Sequence, residues 1–145
     1  LTMKPFVYLG SSLNINDDTA AGYSLYQAEV NRAKMLVNAA RSLKGHQFGF
    51  IVIDELFRGT SPEQAEKGSY ECAKELLACG NALVVLATHY TKLTTVLESE
   101  SNGLCKHYKV EVRKDEQGNI IRPFKLEEGV NSTHVAHDIL HEAIG

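Results

Sequence analysis

Apolar positions along this chain repeat with two different periods, and the changes of period mark out its elements. From Ser24 onward the period is helical. Ala33, Leu36, Val37, Ala40 and Leu43 fall at three- and four-residue steps and would share one buried face. Gly45 is the expected stop. FGFIVI, residues 48–53, then has an apolar or small residue at every position. It is too short for a stable helix and rich in β-branched and aromatic side chains, so a strand is expected, covered on both faces as in a parallel sheet. ALVVLA, residues 82–87, has the same character. Between these strands the helical period returns in Ala65, Cys72, Ala73, Leu76 and Leu77, with Gly80 as its end. Ser61-Pro62-Glu63-Gln64 at its start fits a capping box with proline at the first helical position.

The flanking segments are read more coarsely. FVYL, residues 6–9, predicts a short strand, and polar SSLNINDDTAAG, residues 11–22, a loop. A short helix is expected over 90–98. CKHYKVEVR, residues 105–113, alternates as a strand with one wet face does, DEQGN supplies a turn, and IIRPFKLEE returns as an antiparallel partner. Pro123 assigns that returning strand to an edge. From Ser132, the residues Ala136, Ile139, Leu140, Ala143 and Ile144 predict a final helix. With no internal repeat or linker, the pattern describes one α/β unit: parallel core strands, a C-terminal antiparallel hairpin and a last helix.

Composition narrows the function classes. The chain has 145 residues, enough for one domain or part of one, and 15 Lys plus Arg against 18 Asp plus Glu give a net charge of −3. A dedicated nucleic-acid surface usually shows a basic excess, which is missing here. Cys72, Cys79 and Cys105 are odd in number and form no C-x-x-C pair, which points to reduced thiols in a cytoplasmic protein. No apolar run approaches the length of a membrane span, and no signal peptide opens the chain. The opening LTMKPF reads as a piece of something longer.

The candidate chemistry lies at the strand ends, where open α/β sheets hold ligands. The first buried strand runs straight into Asp54 and Glu55, and the second into Thr88 and His89. Adjacent carboxylates at a semi-buried edge call for a positive partner. Nucleotide hydrolysis supplies one, with an Asp orienting Mg²⁺-bound water under a triphosphate and a Glu polarising the attacking water. Arg58, Gly59, Thr60 and Ser61 follow at once. Upstream, Gly22 and Ser24 stand at a helix start, where a hydroxyl and free backbone N–H groups suit an anion, although a helix N-cap is the ordinary role for such a serine.

Taken together, DDTAAGYSLYQAE (17–29), FIVIDELFRGTS (50–61) and LATHY (86–90) are similar in order and interval to the ABC-type ATPase domain, a P-loop NTPase fold, of the MutS mismatch-repair family and its bacterial relatives. The resemblance implies that Asp54 is the Walker B aspartate, holding Mg²⁺ through water, and that Glu55 is the catalytic base. It implies that Arg58, Gly59, Thr60 and Ser61 form the D-loop at a dimer interface, and that His89 is the switch histidine sensing the γ-phosphate. It further implies that Ser24 with Gly22 forms the signature segment that reaches ATP held by the opposite subunit of a homodimer. DNA would be bound by other domains of the parent protein.

The departures are equally specific. G-x-x-x-x-G-K-[ST] is absent, and no Gly-Lys dipeptide occurs. The resemblance implies that this phosphate-binding loop lies upstream of residue 1, so the chain alone is expected to be inactive. Leu25 and Tyr26 stand where mismatch-repair members usually have Thr-Phe, and Phe57 replaces a small residue, which draws the chain toward MutS-like ATPases outside mismatch repair. Other constellations are read structurally. His134, His137 and His141, with Asp138 and Glu142 nearby, form a polar helix face, and Asp17 and Asp18 a solvated loop. Tyr23 and Tyr26 pack, and Lys106, Lys109, Arg113 and Lys114 line a solvated strand face. Two functions remain: part of a Mg²⁺-dependent ATPase, or a non-catalytic dimerisation module using the same fold.

Overall fold

A computed structural model describes residues 5–13, 25–115, 117, 120–121 and 123–130. The chain forms two compact units, residues 1–105 and 106–145. In the first, the order is β1 (Tyr8–Ser12), α1 (Leu25–Ser42), β2 (Gly49–Asp54), α2 (Pro62–Cys79), β3 (Ala82–Ala87) and α3 (Thr91–Glu100). The strands pair in parallel in the order β1-β2-β3, with Ser12 opposite Ile53 and Asp54 opposite Ala87. Parallel neighbours need a long crossover, and α1 and α2 provide it.

The helical stripe read from sequence is the one that buries. Ala33, Leu36, Val37 and Ala40 of α1 and Ala65, Cys72 and Leu76 of α2 close over Ile51 and Ile53 of β2 in one apolar cluster. Arg41 of α1 reaches Glu75 of α2 at 2.5 Å, and Tyr70 of α2 donates to Glu100 of α3 at 2.6 Å. Gly80 ends α2 at φ 70°, as its position in the pattern requires.

Four expectations need correction. First, β1 starts and ends later than FVYL. Gly10, Ser11 and Ser12 are strand because each pairs with β2, and the bare Cα of Gly10 leaves room for the Leu36 side chain, which a Cβ would meet at 2.7 Å. Second, the capping box does not form. Ser61 is the N-cap of α2, but its side chain makes no capping bond, and Gln64 instead accepts from the Thr60 hydroxyl at 3.0 Å. Third, the sheet is closely covered on one face only. Ile51 and Ile53 are buried, whereas Leu83 and Val85 are each 50% exposed and Leu9 is 71% exposed. Fourth, the edge expected to be semi-buried is so only at Glu55, and Asp54 is exposed.

The second unit contains the expected hairpin in two registers. β4 (Tyr108–Val110) pairs antiparallel with β7 (Leu126–Glu128), and β5 (Arg113–Lys114) with β6 (Ile120–Ile121). Pro123, which has no N–H to donate, sits in the break between β6 and β7. Lys109 and Arg113 pair with Glu127, and Arg113 also with Glu111, so those cations are neutralised locally. The predicted final helix lies outside the described residues.

Candidate functional site

Parallel pairing brings the two polar strand ends to one edge of the sheet. Asp54 is the last residue of β2 and lies opposite Ala87, the last of β3. The Glu55 backbone N–H continues the ladder by donating to the Ala87 carbonyl at 3.1 Å. Two residues after β3, His89 Nδ1 lies 3.1 Å from Glu55 Oε1. Their side chains are 66% and 38% exposed, so this is an open pair rather than a buried ion pair. The Tyr90 N–H donates to the Thr88 hydroxyl at 3.0 Å and turns the chain back. The Tyr90 ring lies 4.4 Å from the His89 ring and packs against the core. Burial, followed by the charges of Glu55, Glu29 and Glu66, raises the Tyr90 hydroxyl above its ordinary pKa.

Beyond Glu55 the backbone takes an unusual course. Glu55 has φ 48° and Phe57 φ 62°, a region that non-glycine residues seldom occupy. Leu56 and Phe57 nevertheless bury, at 1% and 6% exposure. The Phe57 ring lies against Gly68 of α2, where a Cβ would sit 3.0 Å from it, and faces Tyr26 of α1 at 6.0 Å. The large residue at position 57 is thus accommodated by a glycine on the next helix. Arg58 and Gly59 emerge exposed, with their backbone N–H groups donating to the two oxygens of Glu29 at 2.9 and 3.0 Å.

Glu29 is 1% exposed; it closes the segment 17–29 but carries no role assigned from sequence. Its signal was present: it stands four residues before Ala33 on the apolar stripe of α1, where a carboxylate needs a buried partner. Of the predicted site residues, Asp54, Glu55 and His89 come together at one edge, and Arg58, Gly59, Thr60 and Ser61 form the adjoining loop. Gly22 and Ser24 lie outside the described residues, as do Asp17, Asp18, Tyr23, His134, His137 and His141. Among the described residues no cluster of three or more His, Cys, Asp or Glu could hold a metal ion. No helix among them is long and apolar enough to cross a membrane.

Residues 3–139 match the family model described as MutS domain V. The chain belongs to the MutS domain V family. Relatives of this MutS domain include the DNA mismatch repair protein MutS of Thermotoga petrophila, of Thermotoga sp. strain RQ2 and of Thermotoga maritima. Each is 30% identical over 118 residues, 81% of this chain. The chain spans 14% of the length of each of these MutS proteins.

Proposed function

We propose that this MutS-family chain is the carboxyl-terminal part of a Mg²⁺-dependent, ABC-type ATPase domain. In this reading ATP is hydrolysed between two copies of the domain, in a cytoplasmic DNA-processing or mismatch-repair protein whose other domains bind the DNA. The observation that carries the reading is the 3.1 Å approach of His89 Nδ1 to Glu55 Oε1 across the ends of two adjacent parallel strands. A carboxylate held there, half open to solvent, is placed to accept a proton from an attacking water. His89 orients that carboxylate and, more exposed than it, is the group free to meet a γ-phosphate.

Asp54 fits Mg²⁺ in donor type, being an exposed oxygen ligand, and would hold the ion through bound water, where it neutralises triphosphate charge. A single carboxylate suits this ion, which keeps several waters and takes further ligands from phosphate. Arg58, Gly59, Thr60 and Ser61, together with Gly22 and Ser24, would face the nucleotide of the opposite copy.

In the full-length protein, Glu55→Gln should lower ATP turnover by roughly 10²–10⁴, the usual worth of a positioned base, with nucleotide binding retained. Unchanged turnover removes Glu55 from the role of base. The second reading is a non-catalytic dimerisation module. The solvent-open acids favour it. Full-length protein that dimerises without Mg²⁺-dependent affinity for adenine nucleotides would establish that alternative.

A further inference from the structure

We infer that Glu29 is a positioning residue for this site, its buried carboxylate clamping the loop that leads from Glu55 to Ser61. The inference rests on the ATPase reading for its effect on turnover, but not for the clamp itself. Two consecutive backbone N–H groups, of Arg58 and Gly59, point the same way and need two acceptors. Glu29 offers one oxygen to each, at 2.9 and 3.0 Å, from a side chain 1% exposed. An ionised carboxylate is acceptor-only, whereas the amide of glutamine would turn a donor against one of those N–H groups. The chemistry therefore calls for a carboxylate here and not for an isosteric amide.

The loop has reason to need holding. Glu55 and Phe57 take positive φ angles that a free chain would leave, while Arg58 and Gly59 project into solvent with few side-chain anchors. α2 grips the other flank through the Ser69 hydroxyl on the Leu56 carbonyl at 3.4 Å. α1 grips by contact as well, since a Cβ on Gly59 would lie 2.7 Å from the Tyr26 nitrogen. Glu29 thus fixes how the exposed turn leaves the catalytic edge, and touches neither Glu55 nor His89 itself.

The test uses the full-length protein bearing Glu29→Gln, with two readouts. Amide hydrogen exchange at Arg58 and Gly59 should quicken while that at Ile51 and Ile53 stays slow. The kcat for ATP should fall roughly ten- to hundredfold, the loss expected for one charge-assisted bond, with KM little changed. Leu76→Ala, in the core at 2% exposure, controls for simple destabilisation. If Glu29→Gln fails to fold, Glu29→Asp, which keeps two acceptor oxygens on a side chain one methylene shorter, should free the same two amides and reproduce the kcat loss. Slow exchange at Arg58 and Gly59 in Glu29→Gln overturns the clamp. Freed amides with wild-type kcat, or a kcat loss no larger than in Leu76→Ala, overturn the positioning role. Wild-type turnover in Glu55→Gln overturns the ATPase reading instead, and the exchange result still decides the clamp.

Discussion

Glu29 and Glu55 are the same residue type put to opposite uses. One is buried with both oxygens bonded to backbone N–H groups; the other is half open and meets a single imidazole nitrogen. Their substitutions should separate accordingly. Glu29→Gln leaves a part-buried N–H facing an amide donor and should cost about 1–3 kcal/mol of folding stability. Glu55→Gln breaks only an exposed pair, and its stability should change by less than about 1 kcal/mol. Paired urea titrations measure both. Equal losses in the two variants would mean that the carboxylate at position 29 is not satisfied as described. Glu55 was legible because it follows an apolar run directly. What Glu29 binds was not, because its partners lie 29 and 30 residues away in sequence.

At the scale of elements, local rules succeeded where one residue decides the outcome. Gly80 caps α2 in the left-handed region with open space around its Cα, so Gly80→Ala meets no neighbour but should cost about 1–2 kcal/mol from backbone strain alone. Ser61 shows the limit. Its sequence context fits a capping box, yet Thr60 takes the Gln64 side chain, so Gln64→Ala should remove the Thr60 contact and leave the Ser61 cap unaffected. Within α2 the Cys72 thiol is buried, and desolvation followed by the nearby Glu75 charge raises its pKa from 9.0 to about 11. The unfolded thiol ionises first as pH rises. Its contribution to stability is therefore complete below pH 9 and is lost as pH climbs through about 11. Denaturant melts of wild type and Cys72→Ala across that window should diverge in slope. Parallel curves would place the thiol in water.

For the first unit as a whole, the decisive feature is that one sheet face is closed by helices and the other stays half open. Ile51→Ala, at a fully buried position, should destabilise by about 2–5 kcal/mol. Leu83→Ala, on the open face, should cost about 1 kcal/mol or less, since half the side chain is already in water. Thermal or urea unfolding distinguishes the two. A large loss at Leu83 would show that this face is covered in solution. Sequence could not tell the faces apart, because Phe50, Val52, Leu83 and Val85 are as apolar as Ile51, Ile53, Val84 and Leu86.

The amino-acid sequence by itself determined the order and type of the elements in the first unit, the buried stripe of α1, the stop at Gly80 and the placing of Asp54 and Glu55 at the mouth of a strand. Those features follow from periodicity and backbone chemistry that act over a few residues. Tertiary structure alone decided that Glu55 meets His89, that Glu29 holds the following loop, that β1 extends through Ser12 and that the acids lie in the open. Each depends on which strand pairs with which and which helix covers which face. Such contacts join residues some thirty to forty positions apart, where no local pattern records the partner.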